Sequence, residues 1–383
     1  MKSLLTTLAL LGGISSAFAQ LIIPSDGTDG TFSPAANIEV DLSQAVTGTW
    51  SDPNGANAGK GIYDATKWAI VFKYASINIP VGVTVTFKNH PSHAPVIWLV
   101  QGGVDIAGTV SVNGKAAVSD ATAPLTPTEP GPGGFRGGAR GPAGLGAGLG
   151  LGAGGSESSG GYNTVYGNPQ ILPLIGGSGG GANPYSNYAG NGAGGAILIA
   201  APNTIQLTGQ ITSISENIGS YLGSGGAIKL IANQVTGTGN LNAATSGRTR
   251  IEANSLAATI VSTPATIAVA PGTTPIIFQS ATSPTVKIVS VDGINSPADP
   301  MAPLVSSADI AIQKNTPVTI VLETRNFATA GAVVSVRVAN KYGGYGWYNA
   351  TLDSGGTSTL STWRVETTLS PGFVTLQARA TAP

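Results

Sequence analysis

The chain has 383 residues, of which 42% are hydrophobic and only 9% charged, with 55 Gly, 25 Pro and no Cys. Eighteen Lys and Arg balance eighteen Asp and Glu, which excludes the basic field that nucleic acid or anionic lipid would need. Abundant β-branched runs also exclude a disordered chain, since disorder pairs low hydrophobicity with high net charge, and the length predicts two domains.

Met1 and Lys2 precede an apolar stretch from Leu4 to Ile14, and Ala17-Phe18-Ala19 precedes Gln20. Small residues at the last and third-last positions suit a signal peptidase, so residues 1–19 read as a secretory signal peptide cleaved after Ala19. The apolar stretch is too short to span a bilayer. The mature chain is therefore expected to be exported, extracellular or at the cell surface, with no membrane span. Without cysteine, core burial and backbone hydrogen bonds must hold the fold.

Residues 20–76 read as an N-terminal β-rich cap. Within it, Asp26-Gly27-Thr28-Asp29-Gly30 and Ser51-Asp52-Pro53-Asn54-Gly55 look like calcium loops but lack the spaced oxygen ligands ending in Glu, so they read as turns. From Ile77 the text alternates with period two, as in Val81-Gly82-Val83-Thr84-Val85-Thr86-Phe87. Three stretches can be laid over one another. They run from Val96-Ile97-Trp98-Leu99 through Val104 to Val110, from Ala196-Ile197-Leu198-Ile199 through Ile205 to Ile211, and from Ala227-Ile228-Lys229-Leu230 through Val235 to Leu241. Each is a short strand, a turn, an alternating strand, a Gly and a third strand, and Arg250-Ile251-Glu252 begins a fourth copy. Ile197 and Ile228 lie 31 residues apart, a suitable length for one coil of a solenoid. Residues 77–265 thus read as an all-β parallel β-helix, with Gly at a corner where a Cβ would be awkward; an antiparallel hairpin sandwich is the competing reading.

An insertion at 131–195 holds 25 Gly in 65 residues and reads as low-complexity sequence. Its main expectation is a long surface excursion, and the competing one is an ordered bundle of polyproline-like segments. The arginines of Phe135-Arg136-Gly137-Gly138-Ala139-Arg140-Gly141 belong to this Gly-rich loop and are too few for a nucleic-acid motif. Residues 266–284, with Pro271, Pro275 and Pro284, read as a stiff linker. Residues 285–383 carry seven strand candidates punctuated by Gly turns and read as an immunoglobulin-like β-sandwich. The candidates are Val286 to Val291, Ile310 to Ile312, Val318 to Leu322, Val333 to Val338, Tyr348 to Leu352, Trp363 to Thr368 and Val374 to Ala378.

The runs Ile79-Pro80-Val81-Gly82-Val83-Thr84-Val85, Val104 to Val110, and Gly194-Gly195-Ala196-Ile197-Leu198-Ile199 resemble those of glycine-rich exported bacterial proteins of the right-handed parallel β-helix, pectin-lyase-like type. That resemblance covers roughly residues 77–260 and implies a fold and a compartment, with no residue-level function. The polysaccharide lyases and hydrolases that share this architecture need clustered carboxylates. Between Thr86 and Ala265 the acids are Asp105, Asp120, Glu129, Glu157, Glu216 and Glu252, none close to another in sequence. Asp105 aligns with Gln206 and Thr236, which breaks any acidic ladder.

His90 and His93 read as a loop with exposed imidazoles, since a metal site needs more ligands and Pro91 disfavours a helix. No metal or cofactor is expected. Lys229, Arg248, Arg250 and Glu252 read as a solvated outer face. The candidate ligand contacts are Tyr342, Tyr345, Trp347 and Tyr348 in one Gly-rich hairpin, because flat rings stack on sugar faces or anchor protein interfaces. The sequence thus points to an exported, non-enzymatic structural or adhesin-like surface protein whose partner is a polysaccharide or a cell-surface protein. The alternative is a carbohydrate-binding protein, or a lyase or hydrolase, on a β-helix scaffold.

Overall fold

The computed structural model describes residues 21–117, 127–141, 144–150, 167–182, 188–216, 222–299, 309–314, 316–356 and 359–382. The expected signal peptide, Asp120 and Glu157 lie outside these residues. The described chain is all-β, and its only helical elements are the single 3-10 turns Leu42–Gln44 and Gly55–Asn57. None of its helices is long and apolar enough to cross a membrane.

Two largely parallel sheets dominate residues 31–269. In the six-stranded sheet the strands Ile38–Asp41, Thr84–Lys88, Thr109–Ser111, Gln210–Thr212, Asn240–Asn242 and Val261–Thr263 stack in chain order, every pair parallel. In the eleven-stranded sheet the long strand Ala196–Leu207 pairs with both Val96–Val100 and Val104–Ile106, and then with Ala227–Gly237. The chain thus returns repeatedly to both sheets. The repeat offset is as expected at Ile197↔Ile228, 31 residues, and Asp105 pairs with Gln206 while Gln206 pairs with Thr236. One alignment is corrected: Val96 pairs with Ile197, one residue on from the sequence overlay, because alternation fixes which side chains enter the core.

Alternation explains the main core between the sheets. Val85, Val110, Ile211 and Leu241 form one inward column, and Trp98, Ile199, Leu230 and Ile251 another. Full burial of each such aliphatic side chain contributes about 1.5–3 kcal/mol. The next rung changes chemistry, with Ser262 following Leu241 and Thr249 following Ile228. Their hydroxyls lie 2.9 Å apart and both donate to Pro264 O, so the last rung closes the apolar column with satisfied polar groups.

Parallel pairing begins upstream of the expected boundary at 77, since Thr31–Phe32, Ile38–Asp41 and Ala69–Tyr74 all join parallel ladders. The expected linker at 266–284 is also corrected. Ile267–Val269 pairs with Arg248–Ala258, and Ile277 and Phe278 pack on the outer face of the larger sheet beside Trp50. That face carries a second apolar cluster with Val71, Ile97, Leu99, Leu198 and Ile231. A sheet buried on both faces explains the unbroken apolar run Ala196 to Ala201.

The Gly-rich segment is not the surface excursion expected; the described parts of 131–195 are mostly buried. Gly138 N donates to Gly180 O, Gly180 N to Asn191 O, and Gly190 N back to Gly138 O, so three extended segments bond cyclically without forming a sheet. The reason is steric. A Cβ on Gly137 would come within 3.0 Å of Gly190 O, and one on Gly190 would do the same with Gly180 O. Backbones without side chains approach closely enough to bury their polar groups against each other.

From Thr285 onward the sheets are antiparallel. One has five strands, including Thr285–Val291, Val318–Arg325 and Leu360–Thr367; the other pairs Tyr345–Asn349, Val333–Asn340 and Val374–Thr381. Residues of both, among them Ile320, Leu322, Val336, Val338 and Trp363, form one apolar cluster. Six of the seven expected strands are present, with Tyr348 to Leu352 split at Ala350 between two strands; Ile310 to Ile312 is irregular but packs on this core.

Gly226→Ala sets a methyl against the Gly195 carbonyl and should cost about 2 kcal/mol or more, seen as a lower urea midpoint at constant m-value. Gly55→Ala, where an added Cβ meets nothing within 4 Å, should leave the midpoint in place.

Candidate functional site

The hairpin of Val333–Asn340 and Tyr345–Asn349 divides the four candidate aromatics. Cross-strand register places Trp347 opposite Arg337 and Tyr345 opposite Ala339, on the face away from the apolar core. Tyr348 lies opposite Val336 on the other face and is 39% exposed. Tyr342 sits in the turn, with Lys341 Nζ 5.1 Å from its ring centroid, and its carbonyl abuts Gly144 of the Gly-rich segment. The structure therefore brings Tyr345 and Trp347 together and separates Tyr348 from them.

Two arginines complete the face turned away from the apolar core, Arg337 buried and Arg379 half-buried. The Arg337 guanidinium carbon lies 4.2 Å from the Tyr345 ring centroid, and that of Arg379 lies 4.0 Å from the Trp347 ring centroid. Neither arginine is among the sequence candidates, although the alternation in Val336-Arg337-Val338 and Ala378-Arg379-Ala380 marks a cation on the face opposite the core. Tyr345 remains 39% exposed above its buried cation. The result is a strip of rings held flat by cation–π contact.

Arg337 also joins this sheet to the Gly-rich segment. Its Nη2 donates to Gly148 O at 2.7 Å and its Nη1 to Gln377 Oε1 at 3.0 Å, while Gly150 N donates to the same Gln377 oxygen at 3.1 Å. Burial pushes the guanidinium down to about 10, opposed by Tyr345, so it remains cationic at neutral pH. Arg337→Met should destabilise the protein by about 2–4 kcal/mol, because it leaves the Gly148 carbonyl and the Gln377 amide short of a donor; calorimetric or urea unfolding measures this.

The cations of the larger sheet are not solvated as expected. Lys229 is 1% exposed, and its Nζ lies 3.0 Å from Glu252 and donates to Gln170 O. Arg250 lies 2.7 Å from the same carboxylate, and Arg248 donates to Ile175 O. Residues 169–175 cover this face, so the charges bind that segment to the sheet. Burial lowers the Lys229 ammonium, opposed by Glu252.

The turn reading of the two N-terminal Asp loops accords with their geometry. Asp29 accepts from Asn54 Nδ2, Gly59 N and Lys73 N, while the buried Lys73 ammonium lies 3.3 Å from Asp26 and donates to Asp52 O. A lysine occupies the space between the loops.

His90 and His93 are half-buried, a correction to the exposed loop expected. The His90 ring lies 4.3 Å from that of Tyr63, whose hydroxyl donates to Asp299 at 2.9 Å. His90 Nδ1 lies 2.8 Å from Ser92 Oγ and accepts from Ser92 N, a local turn bond. His93 Nδ1 lies 3.6 Å from Glu129. Among the described residues no group of three or more His, Cys, Asp or Glu is placed to hold a metal ion.

Burial lowers both imidazoles below their ordinary 6.5; Asp299 opposes this at His90 and Glu129 at His93, while Arg136 adds to it at His93. As pH falls through 6.5 the unfolded chain takes up these protons first, so their stabilising contribution is present above 6.5 and is lost toward the lower folded values. His90→Gln with His93→Asn should flatten that decline in thermal melts between about pH 7 and about pH 5.

In comparisons with known proteins, no family model, curated protein or solved structure matches this chain.

Proposed function

We propose that the chain is an exported, non-enzymatic surface-interaction protein of adhesin type. In this reading the parallel sheets form a β-helix that carries the Gly-rich bundle, and the antiparallel sheets form an immunoglobulin-like sandwich that presents the contact strip. The β-helix reading is supported by the six-stranded sheet, whose strands stack in chain order and in parallel throughout. It is supported equally by the glycine corners at Gly108, Gly209 and Gly239, where a Cβ would strike a carbonyl of the preceding turn.

The observation that carries the functional reading is the aromatic–guanidinium strip of Tyr345, Trp347, Arg337 and Arg379. Rings fixed from beneath lose little freedom when a partner docks, which favours recognition of a sugar face or a protein surface. The non-enzymatic part is supported by how the carboxylates are used. Asp105 stands between Asn78 and Gln206 in its ladder, and Glu252 is held by Lys229 and Arg250, whereas glycoside cleavage needs two carboxyl groups facing one bond.

A glycan array and a cell-surface binding assay on the purified protein test the strip. The Tyr345→Ala/Trp347→Ala double variant should lose about tenfold or more in affinity with its fold intact by circular dichroism. Equal binding by variant and wild type, or reproducible turnover of a polysaccharide by the pure protein, would sink this reading.

A further inference from the structure

The strip of Tyr345 and Trp347 lies along an open sheet edge. In the three-stranded antiparallel sheet Tyr345–Asn349 is an end strand, paired only with Val333–Asn340. Asn340 N donates to Gly344 O at 3.2 Å, and Ala350 N to Val334 O at 2.8 Å. Bonded and non-bonded pairs alternate along an antiparallel ladder, so the amides and carbonyls of Tyr345, Trp347 and Asn349 point away from that neighbour. The strip residues thus present their rings and their backbone polar groups together. The other ends of the antiparallel sheets are blunted against pairing. Ile294–Asn295 has two residues, Thr351–Ser354 pairs through a bulge and carries Asp353, and Val374–Thr381 carries Arg379. Tyr345–Asn349 has no charge, no proline and no register shift, and its Tyr345, Tyr348 and Asn349 are exposed.

The charge beside this edge has one sign. The three strands of the sheet and the turn at 341–344 contain Arg337, Lys341 and Arg379 and no acidic residue. The five-stranded sheet mixes both signs, pairing Glu323 with Lys287 and Arg325, and Asp353 with Arg364. Among the described residues neither Lys341 nor Arg379 forms an ion pair; Lys341 lies against the rings of Tyr342 and Phe373, and Arg379 against that of Trp347. A second copy of this chain pairing edge to edge would set two such cationic faces side by side, which like-charge repulsion disfavours. A polysaccharide repeats hydroxyls, whereas an extended polypeptide offers an amide and a carbonyl at the strand period and so matches successive groups of this edge.

We infer that this edge takes up an extended acidic segment of a partner protein as an additional strand. The inference rests on the strip reading above and names its partner. Main-chain bonds to Tyr345, Trp347 and Asn349 supply affinity, and alternate side chains supply specificity. Incoming residues level with these three share their face, with Cβ atoms about 4.5–5.5 Å away. Asp or Glu at those positions is drawn to the Arg379 guanidinium stacked on Trp347. The intervening residues lie beside Gly346 and Tyr348 on the core-facing side, where apolar side chains extend the cluster of Val336 and Val338. The preferred segment therefore alternates acidic with apolar residues.

Fluorescence anisotropy of a labelled octapeptide alternating Glu with Val, titrated with the purified full-length protein, tests this. The expected result is saturable binding that weakens as salt rises, with none by the octapeptide alternating Lys with Val. N-methylation of one alternate set of peptide amides, the Glu set for an antiparallel strand and the Val set for a parallel one, should cost about tenfold or more, with the other set tolerated. Arg379→Gln should weaken binding about threefold or more, and Tyr345→Ala/Trp347→Ala about tenfold or more. Lys287→Ala, on the five-stranded sheet, should leave it unchanged. Circular dichroism establishes that each variant is folded, and the N-methylated peptides test the edge without any variant. No binding by the Glu–Val peptide, equal tolerance of both N-methylated sets, or undiminished binding by the folded strip variants would overturn the assignment. Self-association through this edge, or retention of an acidic polygalacturonate in place of the peptide, would do the same. Cell-surface binding lost in Tyr345→Ala/Trp347→Ala with no acidic peptide bound would remove the edge assignment alone, whereas peptide binding lost in that variant with cell-surface binding unchanged would remove the strip's role on cells and leave the edge.

Discussion

Direct contact of backbone with backbone is the constraint on which the rest of this structure depends. Within the parallel ladders, hydrogen bonds hold neighbouring strands about 4.7–4.9 Å apart. At the turns between strands, Gly108, Gly209 and Gly239 stack with no room for a side chain, and in the bundle Gly137, Gly138, Gly180 and Gly190 meet at similar range. The high glycine content is therefore a packing requirement. The glycine stretches of the bundle are buried because their amides and carbonyls are satisfied by other segments of the same kind, while Ile171 and Leu174 add apolar contact with the larger sheet.

The few charges in the chain serve the same end. Glycine-rich segments offer carbonyls but no side chains, so long cations from neighbouring sheets reach into them: Arg337 to Gly148, Arg248 to Ile175, Lys229 to Gln170. A buried cation is costly unless its donors are engaged, and Glu252 adds a countercharge between Lys229 and Arg250. Thr249 and Ser262 apply the same economy beyond Ile228 and Leu241, where their hydroxyls are satisfied by the Pro264 carbonyl.

Much of the ladder was legible in the sequence because alternation and repeat spacing are local properties. The 31-residue offset and the pairing of Asp105, Gln206 and Thr236 follow from them. The one-residue error at Val96 shows the limit: the preceding repeat is separated by the Gly-rich insertion, and the shift from Ala196 to Ile197 is decided by which side chain meets the core. The aromatic hairpin was legible as a cluster. Alternation along the strand already sets Trp347 and Tyr348 on opposite faces, whereas the arginines beneath the rings needed the cross-strand partners of that hairpin.

The sequence by itself determined the all-β character, the repeat and the neutrality of the chain, since each rests on residue type and spacing along one dimension. Only the tertiary structure decided that the Gly-rich segment is interior, that Lys229 and Arg248 are buried beneath residues 169–175, and that Thr109, Gln210 and Asn240 form one ladder. Those are contacts between residues up to 101 positions apart, as from Thr109 to Gln210. Glycine carries no side chain from which its environment can be read, so whether its backbone faces water or another backbone is settled only when the segments meet.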